Sequence, residues 1–156
     1  SILWNLDKEA FRELFYELKP PRDIDFEDVW RLFGGNPGKL IEFANRFDWN
    51  IQYMVKSYSN VVEKFVREII RRSYVDELEL VIEDIDNLGK ITTPKMINLE
   101  KILIERNLVI YKKWTTLTLD YPQTNREIGV GDIYAWQVPL YKYIAEKKLK
   151  ELKHLK

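Results

Sequence analysis

The 156-residue chain contains no cysteine, so disulfides, thiolate metal sites and thiol nucleophiles are excluded. It has one histidine, His154, in a lysine-rich tail beside the C-terminus. A solvent-exposed imidazole there leaves little basis for a Ser-His-Asp triad or a histidine zinc site. No apolar run reaches the roughly 18 residues that a bilayer-spanning helix needs, and no signal peptide is visible. Net charge is also missing: 25 lysines and arginines balance 25 acids, which argues against a nonspecific nucleic-acid coat protein. What is present is core-forming material, 46% hydrophobic and 13% aromatic, enough for one medium or two small packed domains and unlike a disordered chain. The Lys, Glu, Arg, Ile and Tyr content without cysteine fits an intracellular, cytoplasmic protein of a thermophile. Because the first residue is serine, the chain is expected to be a piece of a longer polypeptide.

Charge is unevenly spread. Asp76 to Asp86 holds six acids and no base, and Pro139 to Lys156 holds six lysines against two glutamates. Each run reads most simply as a solvated helix face.

The stretch LFGGNPGKLIEF, Leu32 to Phe43, superficially resembles a phosphate-binding loop. That motif reads G-x-x-x-x-G-K-[ST] after a buried strand. Here only Gly35, Asn36 and Pro37 separate Gly34 from Gly38, Leu40 follows Lys39 where a hydroxyl is required, and the preceding DFEDVWRLF is an amphipathic helix. Asp25 suits its N-cap, with Ile24 and Val29 as a hydrophobic staple. Gly34 or Gly35 suits the left-handed turn that ends it. Asn36 then caps the next helix, with Pro37 at its first position. A helix-turn-helix corner explains these residues without a triphosphate.

Hydrophobic periodicity organises the rest. Asp7 caps a first helix that Pro20-Pro21 stops. The second covers Phe26 to Phe33 and the third Pro37 to about Phe47. A fourth, capped by Asp48, starts at Trp49 and runs to Ile70, with a break expected near Ser57 to Asn60. A fifth starts at Ser73, carries Leu78 through Leu88 on its apolar side, and ends at Gly89. The segment VIEDID, Val81 to Asp86, mimics the acidic end of a Walker B strand but lies within this helical pattern. Thr93-Pro94 opens a sixth, to about Arg106. Leu108 to Tyr111, Trp114 to Leu119 and Gly129 to Trp136 read as strands, with turn chemistry at Tyr121 to Asn125. Pro139 opens a last helix. The order predicts a mainly α fold with a small β-hairpin. From the end of the fourth helix onward it has the layout of a winged helix, with the linker between residues 48 and 60.

In a winged helix, Pro94 to Arg106 is the recognition helix. At about 100° per residue, Met96, Ile97, Leu99, Leu103 and Ile104 share one arc, and Lys95, Asn98, Lys101, Glu105 and Arg106 the other, with Ile102 intruding. Lys95, Asn98, Lys101 and Arg106 fit phosphate and base contacts; Lys112, Lys113 and Arg126 lie in or beside the wing. Glu105 would repel phosphate. DNA contact, protein docking and structural packing all remain open on these residues.

Two stretches carry a resemblance. DFEDVWRLFGGNPG, Asp25 to Gly38, resembles the GGNPG signature that follows the nucleotide-binding core of archaeal ATPases of the AAA+/STAND superclass. GVGDIYAWQVPLY, Gly129 to Tyr141, resembles their wing strand and closing helix. The resemblance implies a helical lid over residues 1–55 and a winged-helix domain over 56–156, both belonging after an upstream P-loop ATPase core. It implies that Gly35, Asn36, Pro37 and Lys39 lie beside ATP or ADP held by that core, coupling nucleotide state to DNA or a protein partner, with no membrane partner. Relatives often place an arginine just after this proline, where the present chain has Gly38 and then Lys39. Neither a Walker A loop nor a Walker B strand is present, so the chain alone should hydrolyse no ATP. A freestanding winged-helix DNA regulator and a protein-interaction adaptor are the alternative readings.

Overall fold

The computed structural model describes residues 6–112 and 124–155; the expected strand Trp114 to Leu119 and most of the following turn lie outside these residues. The described fold is mainly helical with a two-stranded antiparallel sheet. Helix α1, Lys8–Glu17, is capped by the Asp7 carboxylate, which accepts from Ala10 N. Helix α2, Phe26–Phe33, begins after Asp25, whose side chain makes no capping bond, and ends at Gly34 in the left-handed region. Helix α3, Pro37–Asn45, carries the expected Asn36 cap and Pro37 start.

Helix α4, Ile51–Arg71, differs from expectation at both points in question. Asn50 rather than Asp48 caps it, through Tyr53 N, because Asp48 and Trp49 take positive φ and turn the chain first. The expected break is absent: Ser59 returns its hydroxyl to the Val55 carbonyl at 2.7 Å, so the serine satisfies itself within the helix instead of opening it.

The acidic fifth helix is shorter than its hydrophobic pattern implies. Helix α5, Val75–Glu83, stops at Asp84, and a single turn, α6, Asn87–Lys90, contains Gly89. The cause is side-chain competition for backbone donors. Asp84 Oδ1 accepts from Asp86 N at 3.0 Å, and Asp86 is drawn inward to bind the hairpin. Helix α7, Pro94–Glu105, has its Thr93 cap but is rotated from the expected arc. Ile102 is buried and Ile97 is 55% exposed. Strands β1, Val109–Tyr111, and β2, Tyr134–Trp136, pair Val109 with Trp136 and Tyr111 with Tyr134. Only the end of the expected Gly129 to Trp136 strand is regular: a short 3₁₀ turn, Arg126–Ile128, precedes it, and Val130 makes isolated bridges to Asn125 and Ala135. Helix α8, Pro139–Leu152, closes the chain.

One hydrophobic cluster runs through all these elements, from Phe11, Phe15 and Trp30 through Val62, Phe65 and Ile69 to Leu78, Leu103, Trp136 and Ile144. Helix α8 packs chiefly along α4 and also against α2. The N-terminal helices are therefore keyed to the hairpin half through α8 and the uninterrupted α4. No described helix is long and apolar enough to cross a membrane.

Candidate functional site

The Gly34-Gly35 corner is held from two sides. Both glycines have positive φ, +57° and +88°, and both are crowded. A Cβ on Gly34 would lie 3.0 Å from Pro139 Cδ, at the head of α8. One on Gly35 would lie 2.2 Å from the Leu6 carbonyl oxygen, and Leu6 N donates to the Gly35 carbonyl at 2.8 Å. The close approach that glycine permits is thus taken, within the described chain, by the segment entering α1 and by α8.

The start of α3 offers few free donors to an anion. Pro37 has no N–H, Asn36 Oδ1 accepts from Lys39 N at 3.0 Å, and Leu40 N reaches the Asn36 carbonyl. Lys39 itself turns inward. Its Nζ donates to the Tyr58 hydroxyl at 2.7 Å and lies 3.5 Å from Glu42 Oε2. Tyr58 in turn donates to Glu42 Oε1, and Tyr141 stacks edge-on at 5.9 Å. Burial first, and then the hydrogen bond and charge of Glu42, raise the Tyr58 pKa well above the usual phenol value. Burial, and then the charge of Glu42, raise the Tyr141 pKa as well. The corner therefore exposes Gly38, leaves Asn36 and Pro37 half-buried, and keeps its cation bound to α4.

The residues expected to meet DNA divide into two groups. Lys95 Nζ donates to the Ser73 carbonyl at 3.3 Å, and Asn98 to the Tyr74 hydroxyl at 3.0 Å. Arg106 pairs with Glu68 of α4. These three line the seam between α7 and the end of α4, while Lys101 is exposed. Lys112 and Arg126 lie elsewhere. Lys112 is buried and donates to the Gly131 carbonyl at 2.8 Å, so it is not displayed for phosphate. Burial lowers its pKa, against the raising influence of Asp132 and Asp86. Lys113 lies outside the described residues.

Arg126 belongs to an acidic knot. Asp86, 1% exposed, accepts from Arg126 Nη2 at 3.0 Å and from the N–H groups of Asp132, Ile133 and Tyr134 at 2.6, 3.0 and 3.1 Å. Arg126 also lies 3.6 Å from Asp84 and 3.7 Å from Asp132. Burial opposes ionisation of Asp84, but the Asp86 N–H, Lys90 and Arg126 outweigh it and hold its carboxyl below the usual range. The cluster ties the base of α5 to the hairpin. No group of acids or histidine able to hold a metal is found among the described residues.

Against this geometry stands one family match. Residues 1–43 match the family model of an ATPase domain predominantly from Archaea, ATPase_2. The matched segment contains α1, α2, the glycine corner and the first turns of α3, and so relates this part of the chain to archaeal ATPases. No curated protein and no solved structure gives a match.

Sequence reasoning passed over Tyr58, Glu42 and Asp86. Nothing in the local spacing pairs Lys39 with Tyr58, nineteen residues away. For Asp86 a signal existed: an acid next to apolar Ile85, within a patterned run, is a candidate for a buried backbone cap. The basic residues of α4, Lys64, Arg67, Arg71 and Arg72, were also passed over, although they recur on one side at helical spacing.

Proposed function

We propose that this chain is the lid and winged-helix region of an archaeal ATPase, with residues 1–55 as the lid and 56–156 as the winged helix. It would couple ATP or ADP bound on an upstream P-loop core to the hold on DNA or a protein partner. The observation that carries this reading is the double attachment of the glycine corner. The segment related to archaeal ATPases enters at Leu6, hydrogen-bonded to Gly35, while Gly34 abuts Pro139 of α8. A shift of the corner would be passed directly to α8, and from there along α4. The order α5, α7, β1, β2, α8 supports the winged-helix half. Exposed Gly38 and half-buried Asn36 and Pro37 are the groups that would face the base, and Lys39 would reach phosphate only by leaving Tyr58 and Glu42. Hinge closure of this kind is a common way to transmit nucleotide state.

The test is amide hydrogen exchange on the natural full-length polypeptide, free, with ADP and with a non-hydrolysable ATP analogue. The reading expects nucleotide-dependent protection at Gly38 to Leu40 and at Leu140 to Tyr143 together. Nucleotide binding that leaves both segments unchanged, or a full-length polypeptide that binds no nucleotide, would overturn it.

A further inference from the structure

Arg106, at the C-terminal end of α7, lines a groove of about 680 Å³ with Lys64, Glu68, Arg71 and Arg72. Four cations face one carboxylate. Glu68 is only 19% exposed and holds Arg72 at 3.2 Å and Arg106 beside it, fixing two guanidinium groups in place. Among the described residues no ion pair engages Lys64 or Arg71, and both are exposed. Lys95, at the other end of α7, donates to the Ser73 carbonyl just past the end of α4.

We propose that this groove, between the second half of α4 and the C-terminal end of α7, binds the phosphodiester backbone of duplex nucleic acid without reading its sequence. The inference deepens the proposed function by choosing between its two partners, and it does not depend on the nucleotide-coupling half of that reading. Three features favour it. The lining is wholly charged, whereas a protein interface depletes charge at its centre and anchors on aromatic or apolar groups. Among the described residues no aromatic side chain lines the groove, so they form no stacking platform of the kind that single strands use. The spacing also fits. From Lys64 to Arg72 the helix rises about 12 Å, a length along which one duplex strand presents three or four phosphates at about 3.4 Å each. The groove's surplus of about three positive charges matches that number. Arg106 is shared with the α7 surface expected from sequence, but the contact is made chiefly by α4.

The experiment is a fluorescence-anisotropy titration of the 156-residue chain with a labelled duplex oligonucleotide at several salt concentrations. A single strand and polyglutamate serve as competitors. Three engaged phosphates predict a slope of log K against log salt near −2.7. Lys64→Glu with Arg71→Glu should lower affinity about tenfold or more and flatten the slope by about two. Thermal unfolding of that variant confirms folding, since neither side chain is buried. Glu68→Gln should do the opposite, raising affinity by removing the one repulsive charge, which no unfolding artefact would mimic. Absence of duplex binding at low salt, or indifference to the double reversal, overturns the proposal. Preference for the single strand, or competition by polyglutamate as strong as by duplex, also overturns it and assigns the groove to that competitor. None of these outcomes bears on nucleotide-dependent exchange at the glycine corner.

Discussion

Replacing Asp86 with alanine should be among the costliest single changes in this protein. The carboxylate accepts four hydrogen bonds, three from consecutive backbone N–H groups and one from Arg126. Charge-assisted bonds contribute about 1.5–3 kcal/mol each, but a simple sum would overstate the loss. Asp132 and Ile133 are exposed and the Arg126 side chain is 48% exposed, so those donors can recover water. Tyr134 is 6% exposed, and its N–H cannot. The cost therefore comes mainly from the stranded Tyr134 N–H and its lost charge-assisted bond, about 3 kcal/mol. In a protein of this size that corresponds to a fall in Tm of about 6–12 °C. Urea and thermal unfolding followed by circular dichroism measure it, and hydrogen exchange should show the loss localised at residues 132–134. Asp86→Asn, which keeps one acceptor oxygen, should lie between wild type and alanine. A loss below about 1 kcal/mol, the value of an exposed ion pair, would refute the claim that this buried acid organises the hairpin.

Three further outcomes are expected. Gly35→Ala forces a β-carbon into the left-handed region, costing at least about 1–2 kcal/mol, and drives it against the Leu6 carbonyl; Leu6 amide protection should disappear, whereas retained protection would contradict the two-sided anchoring. Lys112→Ala should lower thermal stability yet leave duplex affinity and its salt slope unchanged, because its ammonium serves the Gly131 carbonyl. The pH dependence has a definite sign. The folded pKa of Tyr58 is raised, by burial and then by Glu42, so its contribution is complete below the unfolded phenol value near pH 10 and lost as pH rises towards the folded one. Urea unfolding between about pH 8 and 11 should therefore show falling stability in wild type and a shallower fall in Tyr58→Phe, with Tyr141 and Tyr134 supplying the remaining slope.

The corner was legible because its signals are local. Asn36, Pro37 and Gly34 occupy the capping and turn positions their chemistry dictates, as do Asp7 and Thr93. Legibility failed where distant residues decide the outcome. The pattern from Leu78 to Leu88 is helical throughout, but the N–H groups of a hairpin nearly fifty residues away bind Asp86 and end the helix early. Periodicity places Ile97 inside and Ile102 at the polar edge; in the fold, where α7 packs against α5, α6 and β1, Ile102 is buried and Ile97 exposed. Lysine composition near the wing pointed to phosphate, yet whether such a lysine faces water or a backbone carbonyl is set by tertiary placement. Conversely, the α4 cations lay in plain view but became a groove only when Arg106 was brought across from α7.

The central claim is that the Gly34 to Lys39 corner lies against a nucleotide held by a preceding ATPase core. The most direct measurement is photo-crosslinking of an azido-adenine nucleotide to the natural full-length polypeptide, followed by peptide mapping. The account predicts label on the peptide spanning Gly34 to Lys39, abolished by excess ADP. Label competed by ADP but confined to peptides that exclude the corner would contradict it.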